Sequence, residues 1–111
     1  MENVKVVEKP WGRELWLVVN KNYAMKILEV KEGSRLSLQY HKKKHETMYL
    51  EKGKMRLTLN DNVALKNKGD VIDIPAGTKH RIEAIKDCRI FEVSTPELDD
   101  VVRIEDDYGR A

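Results

Sequence analysis

Short β-type segments follow one another along almost the whole chain, and this feature restricts the fold more than any other. Turn residues such as Gly53 or the run Asn60-Asp61-Asn62 separate one segment from the next. No convincing helical period occurs before residue 94, and residues 97–103 could hold one helical turn at most. The predicted strands are residues 4–7, 14–19, 25–30, 36–41, 46–50, 55–59, 71–74, 80–85 and 88–93.

The even spacing of these segments predicts an all-β fold. Many short strands in a small domain favour a closed or double-sheet barrel, because closure removes the exposed edges at which sheets aggregate. The chain has 111 residues, the size of one domain, so we expect a single domain over residues 1–111. Among such architectures, the jelly-roll barrel is the prediction.

The charge composition argues against several classes of partner. The 21 basic and 19 acidic residues nearly balance, whereas nucleic-acid binding requires a patch of one sign. The run Lys42-Lys43-Lys44 is interpreted as a solvated loop. No apolar run is long enough to span a membrane, no leader opens the chain, and Cys88 is the single cysteine. We therefore expect a cytoplasmic protein that binds neither nucleic acid nor membranes.

Four side chains with metal-binding atoms are spaced so that a barrel brings them together. Gln39 and His41 are two residues apart in a predicted strand, so they share one face. Glu46 begins the returning strand, and His80 opens another strand after a turn. These donors suit one divalent transition metal (zinc, manganese, iron, cobalt or nickel) with positions left for substrate or water. The alternative is that both histidines are ordinary strand residues with hydrogen-bond partners.

The spacing favours the metal site, since it resembles the two cupin motifs in order. Glutamine occupies the slot of the first histidine, so Gln39 is either a ligand or a neighbour of the metal that contacts substrate. The matching residues are Gly33, Gln39, His41, Glu46 and Gly53 in the first motif, and Gly69, Pro75, Gly77 and His80 in the second. The expected jelly roll is therefore a cupin barrel.

Longer stretches resemble the cupin domain of type II mannose-6-phosphate isomerases. These stretches are residues 9–12, 36–41, 74–81 and 101–110, together with Glu46. In many members this domain is the C-terminal part of a chain that also carries a mannose-1-phosphate guanylyltransferase. The resemblance implies metal-dependent interconversion of mannose 6-phosphate and fructose 6-phosphate. The ligand slots of the family correspond here to Gln39, His41, Glu46 and His80.

Three residues depart from the family pattern. Lys44 occupies the slot of an arginine that ends a histidine-rich run. Met48 stands where tryptophan is usual, and Gly77 where asparagine is frequent. A lysine cannot reproduce the planar fork of an arginine, so the change at residue 44 bears on the substrate more than on the fold.

An aldose–ketose isomerase needs a general base as well as a metal. The metal polarises the carbonyl and stabilises the enediolate, while the base moves a proton between adjacent carbons. Three residues are candidates for the base, and none is assigned. Lys26 has the strand parity of an inward-facing residue, His45 borders Glu46, and Asp73 interrupts an apolar strand. A surface position is the alternative for Lys26 and for His45.

A phosphorylated sugar also needs cations or hydroxyls around its phosphate. The candidates for substrate binding are Ser37, which shares the face of Gln39, together with Lys44 and Arg103. Arg103 could grip two phosphate oxygens with its fork, or it could pair with the acids at residues 105–107. For Arg110 we favour an ion pair.

Two other functions fit the same residues. The first is a non-catalytic module that binds sugar phosphate, and the second is a metal-dependent cupin oxygenase. We also expect a homodimer. Residues 4–7 form a β-rich segment that Pro10-Trp11-Gly12 cuts off from the barrel, and such a segment can pair with an exposed edge of a second subunit.

Overall fold

The computed structural model describes residues 4–111, which form eleven β-strands and no helix. It accordingly contains, within that range, no helix of the length and apolar character needed to cross a membrane. In chain order the strands are β1 (Lys5–Lys9), β2 (Gly12–Val19), β3 (Ala24–Val30), β4 (Leu38–Tyr40), β5 (Glu46–Lys52), β6 (Lys54–Leu59), β7 (Asn62–Asn67), β8 (Val71–Ile74), β9 (His80–Ala84), β10 (Cys88–Ser94) and β11 (Val102–Glu105).

The strands form two antiparallel sheets with the core between them. The larger sheet has six strands in the order β1-β2-β3-β10-β5-β8, and the smaller has five in the order β11-β4-β9-β6-β7. Neighbours in a sheet, such as β3 and β10, are far apart in the chain. The chain passes from one sheet to the other at most of its connections, for example from β3 to β4 and from β4 to β5. This arrangement confirms the predicted all-β jelly roll.

Each predicted segment overlaps a strand, but two strands were not predicted. β7 is an outer strand whose residues are nearly all exposed, so it lacks the alternation that marks a half-buried strand. β11 begins at the end of the segment 97–103, where a helical turn was considered, and no helix forms there. The turn signal between β6 and β7 is correct, since Asn60 has a positive φ of 52°.

The N-terminal segment is not cut off from the barrel, which corrects the reason given for a homodimer. β1 pairs with β2 in a hairpin in which Lys9 lies opposite Gly12, so Pro10 and Trp11 form its turn. Trp11 is 2% exposed and packs in the core. The proline therefore turns the chain back onto the sheet, and homodimerisation stays a prediction that sedimentation of the full chain would test.

The interior of the barrel has an apolar end and a charged end. The apolar end is closed by side chains from both sheets, such as Leu50 and Ile90 from one and Met55 from the other, all 0% exposed. The opposite end contains the buried polar and charged residues, which are Glu14, Lys26, Ser37, His41, Lys44, Glu46, His80 and Glu92.

Candidate metal centre

Three side chains with metal-binding atoms meet at the charged end of the barrel. His41, Glu46 and His80 are all buried, and their donor atoms lie within 4.8 Å of one another. The Nε2 atoms of His41 and His80 are 3.3 and 3.2 Å from the same oxygen, Oε1 of Glu46. The convergence expected from the cupin spacing is therefore present in the structure.

Strand register brings these residues together from distant parts of the chain. His41 follows β4, Glu46 begins β5, and His80 begins β9. Gln39 lies directly opposite His80 in the pairing of β4 with β9. The turn before β9 is fixed to the site, because the amide of Gly77 donates to the carbonyl of His41 over 2.7 Å.

Both imidazoles are held in the tautomer that a metal ligand requires. Nδ1 of His80 is 2.9 Å from the carbonyl oxygen of Thr78, and Nδ1 of His41 contacts the carbonyl of Asp100. A carbonyl only accepts, so each Nδ1 carries the proton and each Nε2 presents a lone pair. Two lone pairs and a carboxylate oxygen then face one another, an arrangement that is stable when a cation lies among them.

The two distances between an imidazole nitrogen and the Glu46 oxygen match those of ligands around one divalent ion. Ligands bound at about 2.1 Å and separated by 90–110° lie about 3.0–3.4 Å apart. The two Nε2–Oε1 distances of 3.2 and 3.3 Å fall in this range. The residues present therefore fit a metal held by His41, Glu46 and His80, with Gln39 lining the cavity beside them.

Lys44 holds the second oxygen of Glu46. Its ammonium lies 3.4 Å from Oε2 of Glu46 and 3.1 Å from Oε2 of Glu92. Burial alone would lower the pKa of Lys44, but the two carboxylates raise it above its ordinary value. Burial would likewise raise the pKa of Glu46, yet hydrogen bonding with His41 and His80 keeps it well below the usual range.

A line of buried charges continues from Glu92 along the wall of the barrel. Burial, and next to it the charge of Glu46, raises the pKa of Glu92 to about 8. The ammonium of Lys26 lies 3.4 Å from Oε1 of Glu14 and 4.6 Å above the ring of Trp16. The indole of Trp16 donates to the same Glu14 oxygen over 2.8 Å. Three buried carboxyl groups and two ammonium groups thus lie along this wall, and the raised pKa of Glu92 allows it to hold a proton near neutral pH.

The cluster formed by His41, Glu46 and His80 opens into a cavity of about 660 Å³. This volume is in the range that holds small ligands. Besides the cluster, its walls carry charged residues from both sheets, which include Lys5, Lys9, Glu14, Lys26, Lys44, Glu92 and Arg103.

The structure distributes the candidate catalytic residues between the cavity and the outer surface. Lys26 lies in the cavity wall, 6% exposed. His45 and Asp73 do not line the cavity: Nε2 of His45 is 2.7 Å from Oδ1 of Asp73, and both side chains are at least half exposed. Asp73 alternates with the buried Ile72 and Ile74, so strand parity turns it outward. Of the three candidate bases, Lys26 therefore lies in the cavity, and His45 and Asp73 lie outside it.

The candidate substrate-binding residues occupy three different settings. Lys44 is buried, and its charge is already shared by Glu46 and Glu92. Ser37 is 1% exposed and lines a small pocket beside the main cavity. Arg103 lies opposite Gln39 in the pairing of β11 with β4, and it lines both the cavity and the small pocket.

The acids that follow Arg103 pair with other arginines. Asp106 binds Arg110 with two side-chain hydrogen bonds of 2.8 and 2.9 Å, which confirms the ion pair favoured for Arg110. Asp107 likewise forms a bidentate ion pair with Arg35, and the guanidinium of Arg81 lies 3.3 Å from Asp107. Within residues 4–111, none of the ion pairs includes Arg103.

Two residues of the site were missed in the sequence. Glu92 shares strand parity with the buried Ile90 and Cys88, so the alternation in β10 could have revealed it. Asp100 gave no signal, because it lies in a loop. Its carboxylate accepts the backbone amides of residues 42–44 over 3.0, 2.6 and 3.0 Å, and its carbonyl contacts His41.

Comparison with known proteins identifies the family. A family model described as "Mannose-6-phosphate isomerase C-terminal" matches residues 1–106. The chain belongs to this family. The match agrees with the resemblance carried by the motifs around Gln39 and His80.

Relatives in this family are longer proteins. The chain is 35% identical over 109 residues to mannose-1-phosphate guanylyltransferase ManC of Salmonella typhimurium, covering 94% of this chain and 23% of that protein. It is 31% identical over 109 residues to mannose-1-phosphate guanylyltransferase of Escherichia coli, with the same coverage. It is 30% identical to the alginate biosynthesis protein AlgA of Pseudomonas syringae, covering 99% and 24%. The chain thus spans about a quarter of the length of these relatives.

Solved structures with the same fold are more distant in sequence. Oxalate decarboxylase from Bacillus subtilis superposes with a TM-score of 0.82 at 20% identity, covering 92% of this chain and 30% of that chain. KdgF from Halomonas sp. superposes with a TM-score of 0.79 at 15% identity, covering 88% and 89%. Likeness at these identities concerns the fold, and it confirms the cupin barrel.

Proposed function

We propose that this domain is a metal-dependent isomerase that interconverts mannose 6-phosphate and fructose 6-phosphate. The observation that carries the proposal is the buried cluster of His41, Glu46 and His80, which opens into a charged cavity in a member of this family. A bound divalent metal would polarise the sugar carbonyl and stabilise negative charge on the neighbouring oxygens.

The residues around the cluster have separable roles in this proposal. His41, Glu46 and His80 hold the metal, and Gln39 either completes its shell or binds a substrate hydroxyl. Lys44 fixes the orientation of the Glu46 carboxylate by binding the oxygen that does not face the histidines. Positioning of this kind is expected to affect metal affinity about 10–100-fold.

Two residues in the cavity wall are candidates for the general base. Lys26 and Glu92 both line the cavity and are 6% exposed. The base removes the proton from C2 of the aldose and returns it to C1, while the hydroxyl proton moves in the same direction, from O2 to O1. Replacement of the true base by its neutral counterpart, Lys26→Met or Glu92→Gln, is expected to lower kcat and leave the metal bound.

The test is an assay of fructose 6-phosphate formed from mannose 6-phosphate. The full chain is loaded in turn with zinc, manganese, iron, cobalt or nickel and compared with the chelated chain. We expect turnover with metal and none after chelation. A metal-loaded chain that turns over no hexose or pentose phosphate would contradict the proposal.

Variants connect the activity to the cluster. His80→Ala is expected to lose most bound metal and with it the activity, because two remaining protein ligands provide neither affinity nor geometry. His45→Ala is the matched control, since this histidine is exposed and outside the cavity. Gln39→Ala should cause a smaller loss of metal than His80→Ala.

One observation favours the oxygenase as the second candidate. Two histidines and one carboxylate, as found here, also form the iron site of non-haem oxygenases. Oxygen consumption by the iron-loaded chain without isomerase activity would support that function. Binding of sugar phosphate with neither reaction would instead support a non-catalytic module.

A further inference from the structure

A small side pocket opens beside the main cavity at the edge where the two sheets approach. Its volume is about 50 Å³. It shares five lining residues with the main cavity, among them Lys9, Gln39 and Arg103. Ser37 and Arg110 complete its polar wall. The two spaces are therefore continuous along one side of the barrel.

Two cations in this pocket have no acidic partner. Arg110 is neutralised by its two hydrogen bonds to Asp106. The carboxylate of Glu14 forms an ion pair with Lys26 and accepts a hydrogen bond from Trp16. Lys9 and Arg103 are both half-buried, and no ion pair within the described part of the chain includes either of them. Two unpaired, partly desolvated cations at one pocket provide a binding site for an anion.

The backbone at Lys9 is held at this pocket by the hairpin turn that follows it. Trp11, in the turn, is anchored in the core. Gly12 has a φ of +151°, and a Cβ there would lie 1.9 Å from the carbonyl oxygen of Glu29, so the turn lies against β3 without a side chain between them. The backbone of Lys9 is thus fixed before any ligand binds, which lowers the part of the ordering cost that comes from the main chain.

We propose that this side pocket binds the phosphate group of the substrate, with Lys9 and Arg103 as its two charges. Ser37 and Gln39 lie in the same wall and offer polar groups to the remaining phosphate oxygens. The inference rests on the proposed function, because it assumes that a phosphorylated sugar enters the main cavity. It adds Lys9, on the first strand, to the residues that select the substrate.

The position of the pocket determines which end of the sugar carries the phosphate. Arg103 is opposite Gln39, and Gln39 is opposite His80, so the three lie in one row across three strands. Two strand spacings place Arg103 about 9.6 Å from His80 at the backbone. When the carbonyl carbon, C1, of an open-chain hexose lies at the metal, C6 at the opposite end of the sugar reaches the side pocket. The site therefore selects hexose 6-phosphates over hexose 1-phosphates.

The experiment measures binding separately from turnover. Mannose 6-phosphate, mannose 1-phosphate and inorganic phosphate are titrated by calorimetry into the metal-loaded full chain and into Lys9→Gln and Arg103→Gln. Loss of one charged hydrogen bond is expected to weaken mannose 6-phosphate binding about tenfold or more in each variant. The control is Lys68→Gln, at an exposed position between β7 and β8 that lines neither the main cavity nor the side pocket. Lys9→Arg should retain binding, and all variants should keep their metal.

Each result separates this inference from the proposed function. If Lys9→Gln binds mannose 6-phosphate as tightly as the unaltered chain, or if mannose 1-phosphate binds equally well, the pocket is not the phosphate site. If the unaltered chain binds mannose 6-phosphate through Lys9 and Arg103 but does not isomerise it, the pocket is supported and the isomerase is contradicted.

Discussion

The two ends of the barrel interior are formed by the same strands but contain opposite kinds of side chain. On β5, Leu50 is 0% exposed at the apolar end, and Glu46 is 3% exposed at the charged end. On β10, Ile90 and Glu92 differ in the same way and are only two residues apart. The change from apolar to charged side chains therefore occurs within about one two-residue repeat of the strand.

This difference separates stability from function. Burial of apolar surface stabilises the fold by roughly 25 cal/mol per Å². Burial of charged groups costs free energy that their pairing offsets only in part, and well-packed apolar residues in their place are often as stable or more so. The charged end is thus retained for what it binds. Substitutions at the two ends should accordingly have different consequences.

The largest effect is expected from Lys44→Met at the charged end. This change leaves the buried carboxylate of Glu46 and the neighbouring carboxyl group of Glu92 without the ammonium that contacts both. We expect the metal-free chain to lose about 3–5 kcal/mol of unfolding free energy. Adding Glu92→Gln should restore much of this loss in a double-mutant cycle. If the two changes are simply additive in urea unfolding, the charges are not coupled.

A somewhat smaller effect is expected from Leu50→Ala at the apolar end. Leu50 is fully buried in the core, so its removal should cost about 3 kcal/mol by loss of contacts and formation of a cavity. The folded variant should still bind metal with unaltered affinity. Leu65→Ala, on the exposed β7, is the control and should change stability by less than about 0.5 kcal/mol. Weakened metal binding by folded Leu50→Ala would show that the two ends are not independent.

The smallest effect is expected from Asp100→Ala, which alters the loop that carries Lys44 rather than the ligands. Its carboxylate orders residues 42–44 through their backbone amides. Metal affinity measured by competition with a chelator should fall about 10–100-fold, or about 1.4–2.8 kcal/mol. Asp61→Ala, in the exposed turn between β6 and β7, should leave the affinity unchanged. Equal affinities for the two variants would contradict a positioning role for Asp100.

The strands were predictable because they follow from local alternation, whereas the cluster of His41, Glu46 and His80 was predicted from spacing that resembles the two cupin motifs. A strand with a period of two places every second side chain on one face, so the face of Gln39 and the inward parity of Lys26 could be inferred from spacing. The outward position of Asp73 follows from the same rule, since Ile72 and Ile74 flank it. In that case the apolar context was read as a sign of function, although parity already indicated the surface.

The remaining features depend on contacts between distant segments. Lys44 meets Glu92 across 48 residues, and the loop at Asp100 meets Lys42 across 58. No local period encodes such pairs. β11 was missed because its register with β4, which brings Arg103 beside Gln39, is set by the barrel and not by its own sequence.

The most direct test of the metal centre is the anomalous difference density of crystals grown with zinc or manganese. A single strong peak is expected about 2.1 Å from Nε2 of His41, Nε2 of His80 and Oε1 of Glu46. The Nδ1 atoms should keep their carbonyl partners at Asp100 and Thr78. Imidazoles hydrogen-bonded directly to Glu46 with no peak between them, or a peak elsewhere in the molecule, would contradict the assignment.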